Sequence, residues 1–200
     1  MKQNILLILI LLTGCSSSVP QLPLLAPDSV ILAFGDSLTY GSGVGEDDSY
    51  PAVLEQLTGL NVVNAGIPGE ETPQGLNRLP QLLAEYKPAL LILIHGGNDI
   101  LRKRDLNKTV ENLKAMIKIA KQHGTSVILL GVPKFGLLLS TAEFYPQIAQ
   151  EFKIPFDGET IPDIESDNAL KSDAIHPNAA GYRIMAEAVV TLLKESGAIK

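Results

Sequence analysis

From residue 29 onward, short apolar runs alternate along the chain with longer amphipathic stretches. The apolar runs are continuous, which is typical of strands that are buried on both faces of a parallel sheet. We predict strands at residues 30–34, 62–64, 89–94 and 127–131. Strands that alternate with helices in this way indicate a parallel sheet covered by helices.

Five stretches with helical patterning lie around these strands, at residues 51–57, 73–86, 106–123, 142–152 and 179–195. Thr72 and Pro73 suit the N-cap and the first position of the second helix, and Gly124 ends the third. The third helix has one apolar face that can pack on the sheet, formed by Val110, Leu113, Ile117 and Ala120. The predicted fold class is α/β: a single three-layer α/β/α sandwich around a central, mostly parallel sheet.

Composition and charge narrow the choice of partners. The chain has 200 residues, 46% hydrophobic and 19% charged, so one domain can bury its own core without disulfides or a structural metal. A formal net charge of −6 and the lack of a basic stripe argue against nucleic acid as a partner. One cysteine excludes an internal disulfide, and the three histidines show no zinc-ligand spacing, so we expect no metal site.

The first residues have the pattern of a secretory signal. Lys2 precedes an apolar run at residues 5–12, which is too short to span a membrane. Leu-Thr-Gly-Cys at residues 12–15 resembles the lipobox of bacterial lipoproteins, in which cleavage before the cysteine leaves a thiol to be acylated. The alternative is a plain signal peptide followed by an incidental Cys15.

We therefore expect a lipoprotein signal peptide at residues 1–14, a lipidated Ser/Pro-rich tether at residues 15–28 and the folded domain at residues 29–200. In lipoproteins of this kind, a serine after the acylated cysteine usually implies the outer membrane, and Ser16 has that position. The expected location is the bacterial cell envelope, with Cys15 anchored in the outer membrane and the domain facing the periplasm.

A hydroxyl side chain follows the first predicted strand, in Gly-Asp-Ser-Leu at residues 35–38. Ligands of open α/β sheets bind beyond the carboxyl ends of the strands, and small neighbours let a nucleophile be approached closely. Taken alone, the segment also fits a Gly/Ser turn capped by Asp36 and Ser37. It is not the G-x-S-x-G elbow, because Thr39 stands where that motif needs glycine.

Three more segments belong to the same edge of the sheet. Residues 64–71 and 95–99 follow the second and third strands, and they can offer glycine backbone N–H groups and the Asn98 amide. Asp173 precedes His176 by three residues, where a carboxylate can hold the imidazole Nδ1–H and stabilise an imidazolium. Each segment taken alone also fits a turn or a helix cap.

Together the segments resemble the four sequence blocks of the GDSL or SGNH hydrolases: residues 35–38, the Gly69 loop, Gly-Gly-Asn-Asp at residues 96–99 and Asp-x-x-His at residues 173–176. Val-Val-Asn-Ala at residues 62–65 and Gly-Leu-x-Arg-Leu-Pro at residues 75–80 resemble, more narrowly, the periplasmic thioesterase I, lysophospholipase and arylesterase group. The resemblance covers about residues 30–195 and implies the flavodoxin-like SGNH hydrolase fold.

The resemblance implies a role for each of five residues. Ser37 is expected to be the nucleophile, His176 the general base and then the acid, and Asp173 the residue that orients His176. The backbone N–H groups of Ser37 and Gly69 and the side-chain amide of Asn98 are expected to form the oxyanion hole. This chemistry requires neither a metal nor an organic cofactor, so none is expected.

The chain departs from the family pattern at three positions. Pro68 and Glu70 replace the small residue and the aspartate that commonly flank the donor glycine. His95 occupies a position that is usually apolar, and the sequence leaves open whether it packs at a strand end or tunes the site as a polar group.

The implied reaction is hydrolysis of carboxylic esters or thioesters through an acyl-enzyme, with lysophospholipids and acyl or aryl esters as substrates. Residues 132–144 are apolar enough to line an acyl groove, although they also fit a buried loop, and residues 101–104 can form a mobile opposite wall. The alternatives are a carbohydrate O-acetylesterase of the same fold and a non-enzymatic acyl-binding lipoprotein. We expect a monomer whose partners are its ester substrate and, through the lipid anchor, the membrane.

Overall fold

A computed structural model describes residues 19–134 and 139–200, so the expected signal peptide and Cys15 lie outside the described residues. The strands are β1 (Val30–Gly35), β2 (Asn61–Gly66), β3 (Leu90–Ile94), β4 (Ser126–Leu130), β5 (Pro133–Lys134), β6 (Ser140–Thr141) and β7 (Phe156–Asp157). Five of them form one sheet in the order β2-β1-β3-β4-β7, and every neighbouring pair in it is parallel. The remaining two, β5 and β6, form a separate antiparallel pair.

The helices are α1 (Ser37–Tyr40), α2 (Tyr50–Thr58), α3 (Thr72–Tyr86), α4 (Gly97–Leu101), α5 (Leu106–Gln122), α6 (Phe144–Phe152), α7 (Thr160–Ser166) and α8 (Ala179–Glu195), with 3₁₀ helices at Glu46–Asp48 and Asn168–Leu170. Helix α2 packs against α8, and α3 packs against α5. Helices therefore flank a central parallel sheet, and the predicted α/β/α class is confirmed.

The four predicted strands are present with ends shifted by one or two residues. The expectation that all four are buried on both faces is wrong for β2. Strands β1 and β3 lie inside the sheet and are buried almost throughout. Strand β2 is half-buried or exposed along its length, because it is the edge strand and, within the described residues, pairs only with β1. Its short apolar run predicted a strand, but it did not show that this strand would lie at the edge of the sheet.

The five predicted helices are also present, with α6 beginning at Phe144 instead of residue 142. The expected N-cap of α3 is wrong, since Glu71 takes that position and Thr72 is the first helical residue. The Thr72 hydroxyl instead donates to Asp99 Oδ1 at 2.6 Å. The helices α1, α4 and α7 were not predicted, because four to seven residues are too few to show a helical period.

Residues 19–28 form no helix or strand, but they pack on the folded domain. The Leu22 N–H donates to Ser196 O and the Leu25 N–H donates to Ala198 O, each at 2.8 Å. The described part of the expected tether therefore differs from a free linker, because its backbone finds partners at the end of α8. None of the helices in residues 19–134 and 139–200 is long and apolar enough to cross a membrane.

The sheet order places β1 beside β3, although β2 lies between them in the sequence. Such a reversal of winding leaves a crevice at the carboxyl ends of the two central strands. The strands approach closely there, since a Cβ at Gly35 would lie 1.9 Å from Ile94 O. The segments that follow β1 and β3 carry Ser37 and Asn98, and both therefore start at this crevice.

Candidate active site

Ser37 is the first residue of α1 and is separated from β1 by Asp36 alone. The Asp36 side chain caps this short helix by accepting a hydrogen bond from the Leu38 N–H at 3.1 Å. Asp36 is only 2% exposed, and burial raises the pKa of its carboxyl. The cap fixes the start of α1 and with it the position of the Ser37 hydroxyl.

His176 reaches Ser37 from the other end of the chain. Its Nε2 lies 3.0 Å from Ser37 Oγ, and its Nδ1 lies 2.7 Å from Asp173 Oδ2. The hydrogen bonds from His176 and from the Ile175 N–H lower the pKa of Asp173 to about 2. An ionised carboxylate only accepts, so Nδ1 carries the imidazole proton and Nε2 is left to accept from the Ser37 hydroxyl.

The turn that carries Asp173 and His176 is held by hydrogen bonds among its own residues. Asp173 Oδ1 accepts from the N–H groups of Ile175 and His176, each at 2.8 Å. The Ser172 N–H donates to His176 O at 2.9 Å. Asn178 then caps α8 by accepting from two N–H groups of its first turn. The spacing of three residues between Asp173 and His176 thus brings carboxylate and imidazole together locally.

Two of the three expected oxyanion donors have no acceptor within the described residues: the backbone N–H groups of Ser37 and Gly69. Gly69 has a φ of +75°, a conformation that favours glycine. The Asn98 amide differs, since Nδ2 donates to Asp36 Oδ2 at 3.1 Å and to Glu70 O at 3.0 Å. Both bonds orient Asn98, and an oxyanion would share one of its two N–H groups.

Beneath the Gly69 loop lies a buried charged group, the Arg78–Glu70–His95 cluster. Arg78 Nη2 and His95 Nε2 lie 2.6 and 3.1 Å from Glu70 Oε2. His95 Nδ1 accepts from the Gly96 N–H at 2.9 Å, so the neutral ring carries its proton on Nε2, facing Glu70. Burial raises the pKa of Glu70, but the hydrogen bonds from His95 and Arg78 outweigh it and keep that pKa below its usual value.

The Arg78–Glu70–His95 cluster joins the ends of three strands. Arg78 Nη2 donates to Gly35 O at 3.2 Å and to Ala65 O at 2.9 Å, in β1 and β2, while His95 directly follows β3. Gly75 leaves the space that the imidazole fills, since a Cβ there would lie 2.4 Å from His95 Nε2. His95 is fully buried at a strand end, and its ring is also hydrogen-bonded to Glu70, the residue after Gly69.

Residues 101–104, expected to form a wall of the site, are bonded to the same loop. Arg102 Nη1 donates to Gly69 O at 3.0 Å and to Glu71 Oε1 at 2.6 Å. Arg104 Nε donates to Glu71 Oε2 at 3.0 Å. The hydrogen bonds from Arg104 and Arg102 lower the pKa of Glu71. The segment after α4 is therefore attached to the loop that carries Gly69.

A cavity of about 220 Å³ lies next to Ser37. Ser37, Gly69, Asn98 and His176 line it together, and Asp173 contacts His176 from behind. Apolar lining residues are Leu38, Pro68, Leu101, Val132, Pro133 and Ile175. Part of the segment expected to form an acyl groove, residues 135–138, lies outside the described residues. In the described ranges, no group of three His, Cys, Asp or Glu side chains could hold a metal ion.

Comparison with known proteins gives the class of the site. Residues 33–184 match the model of the GDSL-like Lipase/Acylhydrolase family. The chain belongs to this family. It is a serine ester hydrolase of the SGNH type, so the alternative of a non-enzymatic acyl-binding lipoprotein is not supported.

Similar proteins and structures cover most of this hydrolase. Esterase TesA of Pseudomonas aeruginosa is 33% identical over 198 residues, which are 92% of this chain and 97% of that protein. Thioesterase 1/protease 1/lysophospholipase L1 of Escherichia coli strain K12 is 30% identical over 174 residues, 81% of this chain and 82% of that protein. A crystal structure of TesA covers 83% of this chain and 98% of its own, with a TM-score of 0.73 and 30% identity. The esterase EstA from Pseudoalteromonas shares the fold, with a TM-score of 0.74 and 23% identity over 84% of this chain and 98% of its own.

The sequence did not predict two features of the site. One is the Arg78–Glu70–His95 cluster. The other is the position of Glu165 in the cavity wall. A signal for the first exists, because His95 ends an otherwise apolar run and a basic residue there needs a buried acceptor. Nothing in the pattern around Glu165 separates it from the exposed acidic residues of the same segment.

Proposed function

We propose that this hydrolase cleaves carboxylic esters through a covalent acyl group on Ser37. The supporting observation is the unbroken series of hydrogen bonds from Asp173 through His176 to Ser37 Oγ. In the first half-reaction Ser37 Oγ attacks the ester carbonyl carbon while His176 Nε2 takes the hydroxyl proton. His176 then gives this proton to the leaving alcohol, and the acyl group remains on Ser37.

The second half-reaction releases the acid. Water attacks the acyl carbonyl, His176 Nε2 takes one of its protons, and the proton passes to Ser37 Oγ as the ester bond to the enzyme breaks. In both halves the negative carbonyl oxygen accepts from the N–H groups of Ser37 and Gly69 and from the Asn98 amide. Asp173 keeps Nδ1 protonated throughout and stabilises the imidazolium between the two proton transfers.

The proposed substrates are lysophospholipids and other acyl or aryl esters, thioesters included. The apolar lining of the cavity supports an alkyl or aryl group more than a sugar, which disfavours a carbohydrate O-acetylesterase. The relatives bear the names arylesterase and thioesterase 1/protease 1/lysophospholipase L1. Comparison of p-nitrophenyl acetate with longer p-nitrophenyl esters tests this choice: kcat/KM that rises with chain length supports it, and a preference for acetate contradicts it.

The proposed location is the outer membrane, with an acylated Cys15 and a monomeric domain in the periplasm. The Leu-Thr-Gly-Cys motif supports the lipid anchor, and so does a lipoprotein relative, YqeF of Bacillus subtilis, which is 30% identical over 114 residues, 50% of this chain and 46% of that protein. Mass spectrometry of the N-terminal peptide tests the anchor. An unmodified thiol or an intact Met1 would contradict it.

A fluorophosphonate probe tests the catalytic assignment itself, because it labels an activated serine. Labelling is expected at Ser37 and is expected to be lost in both Ser37→Ala and His176→Ala. Each substitution should lower kcat by about 10³–10⁶-fold, and combining them should cost little more, since the residues act as a unit. Labelling at another residue, or losses that multiply, would overturn the assignment.

A further inference from the structure

Glu165 is an ionisable residue in the cavity wall for which the proposed reaction has no use. It lies near the end of α7, is only 6% exposed, and lines the cavity together with Ser37, Ile175 and His176. Among the described residues, its carboxylate takes part in no hydrogen bond and no ion pair. The nearby Lys171 ammonium does not pair with it, because Lys171 Nζ donates to the backbone oxygen of Glu165 at 2.7 Å.

A carboxyl that is 6% exposed, lines a cavity and has no protein partner among the described residues depends on groups inside that cavity for its hydrogen bonds, which points to a group on the substrate. Burial raises the pKa of Glu165 to about 7, with the charge of Lys171 acting against it and that of Asp36 acting with it. Near neutral pH the carboxyl is therefore a donor in part of the molecules and an acceptor in the rest. A hydroxyl group both donates and accepts, and so it can bind either form.

Glu165 lines the same cavity as Ile175 and His176, which belong to the turn that carries Asp173 and His176. Lys171 joins Glu165 to the catalytic turn, because the same residue forms a β-bridge with Pro177, next to His176. His176 must protonate the leaving alcohol, whereas the carbonyl oxygen faces Gly69 and Asn98. The alcohol part of the substrate must therefore lie beside His176, in the cavity that Glu165 also lines.

We propose that Glu165 binds a free hydroxyl on the alcohol part of the substrate, next to the ester oxygen. The preferred substrates are then monoesters of vicinal diols, such as a monoacyl glycerol unit, in which one oxygen is acylated and its neighbour is free. This proposal rests on the esterase function assigned to Ser37 and names the substrate class of that site. A diacyl unit has no such hydroxyl, so the same contact separates monoacyl from diacyl esters.

The test uses three butyrate esters that differ in the alcohol: 2-hydroxyethyl, 2-methoxyethyl and ethyl. The first two carry the same electron-withdrawing oxygen, but only the hydroxyl can donate a hydrogen bond. The wild-type protein is expected to favour the hydroxyethyl ester in kcat/KM by about tenfold over the other two, the effect of one hydrogen bond in a buried site. Glu165→Met removes the carboxyl at similar volume, and the preference should fall to about twofold or less.

Two further variants separate binding from structure. Glu165→Gln keeps a donor and an acceptor and should retain most of the preference. Glu159→Leu makes a comparable change at the exposed N-cap of the same helix and should leave the preference unchanged. If Glu165→Met fails to fold, Glu165→Ala takes its place. All rates are referred to sites titrated with the fluorophosphonate.

Monobutyryl esters of glycerol and of a methyl glucoside then separate the two sources of a vicinal hydroxyl. A Glu165-dependent preference for either ester supports the proposal and identifies the source as lipid or sugar. A wild-type protein that hydrolyses ethyl butyrate normally, yet shows no hydroxyl preference or shows one that survives in Glu165→Met, would overturn it. Failure to hydrolyse any of the esters, with no labelling of Ser37, would instead count against the esterase function.

Discussion

The turn that carries Asp173 and His176 and the loops that carry Gly69 and Asn98 face the same Ser37, but different contacts hold them. The turn relies on bonds among neighbours in the sequence, and the Asp173 side chain is 52% exposed. The loops depend on a cluster in which Glu70 is 5% and His95 0% exposed. One half of the site is local and solvated, and the other is built from distant residues and buried.

Because of this difference, substitutions in the two halves of the site should affect catalysis and stability differently. An exposed pair in a short turn adds little to the free energy of unfolding, so a change there should affect the reaction alone. A buried pair that loses one partner leaves an uncompensated charge, so a change there should weaken the fold and the reaction together.

Asp173→Asn tests the local half. An amide in place of the carboxylate can donate to Nδ1, which moves the imidazole proton to Nε2 and removes the acceptor for the Ser37 hydroxyl. We expect kcat to fall by about 10²–10⁴-fold, with hardly any change in melting temperature. Steady-state kinetics on titrated enzyme and a thermal melt measure the two effects. Asp167→Asn, an exposed cap in the same segment, is the matched control, and a large loss of stability in Asp173→Asn would show that the turn is not only catalytic.

Asn98→Ala tests whether a donor in the buried half acts mainly in the transition state. Loss of one oxyanion donor should lower kcat by about 10²–10³-fold, with KM nearly unchanged. Because the amide also bonds to Asp36 and to Glu70 O, the melting temperature should fall as well. Normal kcat per titrated site together with a lowered melting temperature would assign Asn98 to structure alone.

Glu70→Gln breaks the buried cluster and has a matched control next to it. Arg78 would lose its partner while its side chain is only 20% exposed, so we expect a loss of about 2–4 kcal/mol in the free energy of unfolding. The value of kcat should fall more than KM changes, because Glu70 acts through Gly69 and Asn98. Glu71→Gln removes the charge that pairs with Arg102 and Arg104, whose side chains are 46% and 56% exposed, and should have a much smaller effect on stability. Equal effects from the two substitutions in urea unfolding would contradict the comparison.

Glu165 is a buried group that is connected through Lys171 to the otherwise solvated half of the site. Its pKa is about 7 in the folded protein against an ordinary value of 4.5, so between these pH values the folded state holds a proton that the unfolded state has lost. Stability should therefore fall as pH rises through this interval, by about 1–3 kcal/mol, and stay low above it. Glu165→Gln should abolish the decrease in urea unfolding across that interval, whereas parallel curves for variant and wild type would show that Glu165 does not cause it.

The elements that the sequence predicted well are those with a clear period and length. Continuous apolar runs located β1 to β4, and a stripe of apolar residues located α5, because burial on a fixed geometry imposes those spacings. Short elements such as α1 and α4 give no period, and the burial of β2 depends on which neighbour the sheet provides. The resemblance to the GDSL motifs named five candidate site residues in advance, although their chemical roles stay predictions until the variants are measured.

Contacts between near neighbours follow from the sequence alone: the cap of α1 by Asp36, and the approach of Asp173 to His176 across three residues. The partners of the residues between those segments depend on the tertiary structure. Glu70 could equally have been a solvated acid, but the order β2-β1-β3 brings it against His95 and Arg78. The physical reason is that burial and partnership of a charge depend on distances across the fold, which local spacing along the chain does not contain.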